Sequence, residues 1–259
     1  MPQFEQILAA VQCDHQPETA VNQPSLIGMN INPPQDDYSF DTYREAVVQA
    51  RAAGVQASHT TFSWADVETA PGNFDWTVPD LLIDTLSLEG IRLSLVLSFI
   101  HTSVVAPRPD DLVGLPFDDP ILIERATDFV TAVVQRYGDQ IDYLAFGNEV
   151  NICLADHPED VVPFLALFAA LETAVSNQAP NLPTGTTLAF HTAVQQNRLD
   201  LIELFQENDF LAYTYYPFGE AWSQFEAYLC TLGLRQNDGT PKLGWDVFVG
   251  EMGRFLIND

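Results

Sequence analysis

Residues 141–149 read IDYLAFGNE. Tyr143 to Phe146 form an apolar run too short for a helix, and Gly147, Asn148 and Glu149 close it with a thinned backbone, an amide and a carboxyl. A short apolar run of this kind reads as a β-strand buried on both faces, as strands are in parallel sheets. The cadence recurs in SLIGMNIN (25–32), GVQASHTTFSW (54–64), IRLSLVLSFIH (91–101), GTTLAFHT (185–192), DFLAYTYYPF (209–218) and WDVFVGEMG (245–253). Between these runs, apolar residues fall at helical spacing, as in TYREAVVQARAA (42–53), ILIERATDFVTAVVQRYG (121–138) and VVPFLALFAALETAVSN (161–177).

Strands alternating with helices of this length predict βαβ units and a parallel sheet. Seven such strands are expected to build an α/β fold, a (β/α)8 TIM barrel lacking its eighth βα unit. A doubly wound sheet would carry a glycine-rich phosphate turn after its first strand, and GMNINPPQ (28–35) is not one. The expected organisation is an N-terminal helical segment over 1–24 and a barrel over 25–259. In the first segment, Phe4, Ile7, Leu8 and Val11 share one helical face. The barrel is read as C-terminally truncated, because seven strands leave two unpaired edges.

The 259 residues are 47% apolar and 18% charged, a globular composition suited to one large domain or two small ones. A net charge of −26 with 10 basic residues argues against nucleic acid and anionic lipid surfaces as partners. So much scattered acid reads first as a solubility device. No apolar run is long enough to span a bilayer. MPQFEQILAAVQ (1–12) lacks the basic start and apolar centre of a signal peptide. The chain as it stands therefore reads as cytoplasmic, or as secreted if a segment precedes it. Cys13, Cys153 and Cys230 form neither a metal spacing nor an even disulfide set. With no H-x-H or H-E-x-x-H spacing, neither a metal nor a cofactor is expected. Oligomeric state is left open.

Barrel active sites sit at the C-terminal ends of the strands. Here those ends carry Asn30, His59, Trp64, His101, Asn148, Glu149, His191, Tyr215, Tyr216 and Glu251. Side chains alternate along a strand. If Glu149 and Glu251 close strands four and seven facing inward, their carboxyls meet across the barrel axis. Two carboxyls about 5–5.5 Å apart serve retaining glycosidases, and about 6.5–9.5 Å apart inverting ones. One must stay protonated to donate to the leaving oxygen while the other stays ionised, and unequal surroundings separate their pKa values.

At these residues the chain resembles the retaining glycoside hydrolases of clan A. FGNEVN (146–151) looks like that clan's Asn-Glu segment on strand four, and FVGEMG (248–253) like its strand-seven nucleophile segment. WADVETAPGNFDW (64–76) is similar to a segment after strand two in several of its barrel families. YTYYPF (213–218) and GNEVN (147–151) are similar to segments of its endo-galactanases, and the strand-end motifs lie nearest the endo-galactanase and cellulase-like families. The resemblance implies Glu149 as acid/base, Glu251 as nucleophile, and Asn148 on the sugar 2-hydroxyl. It also implies that Tyr215 or Tyr216 orients Glu251, that His101 and His191 contact substrate hydroxyls, and that Trp64 offers a face to a pyranose ring. His59 stands where many clan members carry an arginine, and Asn30 joins the substrate set as a strand-end residue. Trp76 reads as structural, and Asn151 as a residue that satisfies loop backbone. The implied activity is double-displacement hydrolysis of a β-linked oligo- or polysaccharide. The alternative class is a non-catalytic carbohydrate-binding barrel, which would need neither acid.

Overall fold

The computed structural model describes residues 26–32 and 39–214. The N-terminal segment over 1–24, Cys13, Cys230, Tyr215, Tyr216 and the expected seventh strand with Glu251 lie outside the described residues.

Six strands stand in chain order in one parallel sheet: β1 (Gly28–Met29), β2 (Ala57–Ser63), β3 (Arg92–His101), β4 (Ile141–Asn148), β5 (Thr184–Ala189) and β6 (Phe210–Thr214). Helices separate them: α1 (Phe40–Ala52), α2 (Trp64–Val67), α3 (Thr77–Leu88), α4 (Pro120–Tyr137), α5 (Val150–Asp156), α6 (Val161–Gln178), α7 (Phe190–Gln196) and α8 (Asp200–Glu203). This strand–helix alternation is the (β/α)8 barrel architecture that the sequence predicts. No helix among the described residues is long and apolar enough to cross a membrane.

Local chemistry sets the helix starts. Ser39 and Thr42 cap α1 reciprocally, each side chain accepting the other's backbone N–H. Asp119 accepts from Ile121 N at 2.8 Å, and Pro120 fills the first position of α4, where a missing N–H costs nothing.

The large side chains face the helices. Leu93, Leu95 and Leu97 of β3 and Leu144 and Phe146 of β4 join one core with Phe129, Val130 and Val133 of α4 and Phe164, Leu167 and Phe168 of α6. Each such side chain contributes about 1.5–3 kcal/mol when fully buried. Phe146 meets Phe168 edge-on at 5.3 Å between ring centroids.

The opposite phase of the strands, facing the axis, is small or polar. Register aligns His59 with Ser94 and Ser94 with Tyr143, then Thr61 with Val96 and Val96 with Ala145. Gly185 pairs with Ala145 on one side and Phe210 on the other. A Cβ on Gly185 would lie 2.1 Å from the Phe210 carbonyl oxygen, so only glycine fits there. Across that glycine the Tyr143 and Phe210 rings meet at 5.2 Å, although their strands are not neighbours. Strands two apart in a flat sheet stand about 9.5 Å apart. Contact between inward rings across β5 is what a sheet concave toward the axis produces.

Candidate active site

β4 delivers Glu149 through a corner that the strand cannot continue. Gly147 has φ 95°, and a Cβ there would lie 2.5 Å from Val150 Cγ1 and 3.2 Å from the Ile100 carbonyl oxygen. Glu149 follows in the left-handed region, φ 52° and ψ 41°, and α5 starts immediately after it. A non-glycine residue held there costs on the order of 1–3 kcal/mol, and such residues gather at functional sites.

The Glu149 residue is 8% exposed. Thr102, just past the end of β3, donates its hydroxyl to Oε2 at 3.1 Å, and Thr214, the last residue of β6, donates to Oε1 in a short hydrogen bond. The carboxyl thus bridges from the strand beside β4 to a strand two places away on its other side. A side chain that reaches both must point into the barrel mouth.

Asn148, half-buried, pairs in register with His101, and its carbonyl accepts Thr102 N at 2.7 Å. His101 is exposed at the rim. Asn148, Glu149 and His101 are therefore brought together as the sequence predicts. Strand β5 ends at Ala189, so His191 lies in the first turn of α7, half-buried at the same end of the sheet. Asn30, exposed, follows β1 directly.

Two sequence-predicted substrate residues sit elsewhere. His59 does not end its strand: β2 runs on to Ser63, and His59 pairs with Ser94, which pairs with Tyr143. From Tyr143 to Asn148 is about 16 Å along a strand. His59 lies that far below the mouth, hydrogen-bonded to Ser94 at 3.0 Å, and burial pushes its imidazole below the usual histidine range. The polar run SHTT (58–61) looks like a strand end, but in the structure it is the middle of one.

Trp64 offers no open face to a sugar. It is 2% exposed, stacked on Phe129 at 5.8 Å and edge-on to Phe99 at 5.6 Å. Its indole N–H donates to Glu68 Oε2 at 2.6 Å. Glu68 Oε1 in turn accepts Gly72 N at 2.6 Å and the Arg125 guanidinium at 2.7 Å. The segment WADVETAPGNFDW is thus a clip tying the β2 exit to α4. Trp76 packs on Phe74 and Tyr137, the structural role expected of it.

The loop after β3 forms one wall of the mouth. Val104–Val105 turns back antiparallel to the end of β3. Arg108 donates to the Leu115 carbonyl at 2.8 Å and lies over the Phe117 ring, and burial pulls its guanidinium below the ordinary arginine value. On the other side of β4, Asn151 exchanges both amide hydrogen bonds with the Ala189 backbone, at 3.1 and 2.8 Å. This pins α5 to the end of β5, and Asn151 satisfies backbone as expected.

Sequence reasoning missed Thr102 and Thr214. Each stands beside a residue that drew the attention, His101 and Tyr215, and a threonine at a strand end carries no signal of its own. Among the described residues no cluster of histidine, cysteine, aspartate or glutamate is arranged to hold a metal ion.

No protein-family model and no curated protein sequence matches the chain. Solved structures do. An exo-β-1,4-mannosidase from Opitutaceae bacterium strain TAV5 superposes with a TM-score of 0.60 at 13% identity, over 90% of this chain and 60% of the other. A GH5_18 protein from Bifidobacterium longum, in complex with Manβ1-4GlcNAc, gives 0.62 at 11%, over 88% and 78%. A β-glycosidase gives 0.54 at 19%, over 68% and 54%. The fold is that of glycoside hydrolase barrels. The chain spans little more than half the length of the β-glycosidase.

Proposed function

We propose that the protein is a retaining glycosidase acting on a β-linked oligo- or polysaccharide, with Glu149 as acid/base and Glu251 as nucleophile. One observation carries the reading: the Glu149 carboxyl is held in a left-handed corner at the barrel mouth, between hydroxyls from both sides. A buried acid needed only for stability has no reason to occupy a strained corner aimed at an opening. In the proposed cycle Glu251 attacks the anomeric carbon while Glu149 protonates the departing oxygen. Glu149 then draws a proton from water as the water oxygen bonds the anomeric carbon, and the bond to Glu251 breaks with its electron pair returning to that carboxylate, which releases the sugar. Asn148, adjacent on the strand, would bind the 2-hydroxyl, and His101 and His191 line the approach. Tyr215 or Tyr216, directly after Thr214, would orient Glu251. Asn30 remains a rim residue of the same end. The substrate is a carbohydrate, and the resemblance of YTYYPF and GNEVN to endo-galactanase segments makes β-galactans and cellulose-like glucans the first to assay. The mannose-containing ligand and activity named for two fold neighbours add β-mannosides.

The test is hydrolysis of aryl β-galactosides, β-glucosides and β-mannosides and of the matching polysaccharides, with the first-formed anomer read by proton NMR. The β-anomer is expected first. An α-anomer formed first would overturn the retaining mechanism. Binding of these sugars without cleavage would favour the non-catalytic barrel.

A further inference from the structure

We propose that Thr102 and Thr214 are positioning residues that hold the Glu149 carboxyl in its proton-transfer pose, an inference that rests on the reading of Glu149 as acid/base. Among the described residues three non-glycines have a left-handed φ: Thr102 at 57°, Glu149 at 52° and Asn197 at 53°. Asn197 ends α7, where helices commonly close on such a residue. Thr102 and Glu149 end no helix. Thr102 is β-branched, which makes the conformation harder still.

The two strained residues are bonded to each other. Thr102 N donates to the Asn148 carbonyl at 2.7 Å, Cys153 N to the Thr102 carbonyl at 3.0 Å, and Thr102 Oγ1 to Glu149 Oε2 at 3.1 Å. The backbone is thus bent at both positions, and the bend turns one hydroxyl onto one carboxyl oxygen. Thr214 supplies the second hydroxyl, to Oε1, from the end of β6. Each carboxylate oxygen has two lone pairs. Among the described residues one on each is occupied, which fixes the rotation of the carboxyl group and leaves one on each for the transferred proton. When the glycosidic C–O bond breaks, its electron pair goes to the leaving oxygen, which takes the proton of Glu149. The O–H electron pair stays on the carboxyl, and the charge it leaves there is met by two O–H donors already in place. The titratable groups on the surrounding elements are Arg92 and His101 on β3, Asp142 and Tyr143 on β4, Cys153 and Asp156 on α5, His191 on α7 and Tyr213 on β6. All of them remain in the variants below.

The experiment uses the full chain with Thr102→Val, Thr214→Val and Thr102→Ser. Valine keeps the branched Cβ and removes only the hydroxyl; serine keeps the hydroxyl. The kcat/KM of the valine variants should fall about tenfold for aryl glycosides with poor leaving groups and little for dinitrophenyl glycosides. Thr102→Ser, which keeps the hydroxyl, should restore the rate on the poor leaving groups. A purely structural role would lower both substrate classes alike, and equal losses on both in the valine variants overturn the proposal. Should Glu149→Gln cleave every substrate at the wild-type rate, the acid/base reading itself fails, and the positioning role with it.

Discussion

Glu149 and Asn148 were legible in the sequence because a carboxyl and an amide at the end of an apolar run have no packing rationale. Thr102 and Thr214 were not, since a hydroxyl is common in every context and its role here comes from two backbone bends. His59 was misplaced for a related reason: register, not polarity, sets where a strand ends. Its burial has a testable consequence for stability. The folded imidazole titrates below the ordinary 6.5, while the unfolded chain keeps that value. As pH falls below 6.5, the unfolded state takes up a proton that the folded state refuses. Stability that is full above that pH is therefore lost progressively toward the lower folded value. His59→Gln should flatten this segment: urea midpoints of the two proteins are expected to converge between pH 7 and about pH 5. Parallel curves would show that His59 is not the responsible group.

At the scale of elements, the strand–helix alternation was readable, whereas the role of the tryptophan segment after β2 was not. Trp64 was expected to present a face to a sugar, but the indole N–H needs an acceptor, and Glu68 provides one inside the clip. Glu68 is 3% exposed and depends on Arg125, which it meets at 2.7 Å. A buried ion pair is strongly destabilised by losing one partner, because the other charge stays buried. Arg125→Leu should therefore cost about 3–5 kcal/mol, measured by urea denaturation. Adding Glu68→Gln to that variant should cost much less than Glu68→Gln costs alone. Additive losses would mean that the two side chains act independently.

On the scale of the whole molecule, six parallel strands in chain order curl so that a side chain from β4 reaches β6. The barrel was legible because strands such as RLSLVLSFI carry apolar runs and helices such as α4 have one apolar face. The curvature was not, since it depends on glycines such as Gly185 whose purpose shows only across three strands. On the proposed mechanism, acid/base catalysis at this mouth runs through Glu149. The most direct test is Glu149→Ala, assayed with dinitrophenyl and with poorly activated glycosides, each with and without added azide. The expected loss is about 10²–10⁴-fold on the poor leaving groups and far smaller on the dinitrophenyl glycoside. Azide should restore turnover on the latter and yield the β-glycosyl azide. Equal losses on both substrates, with no azide adduct, would contradict it.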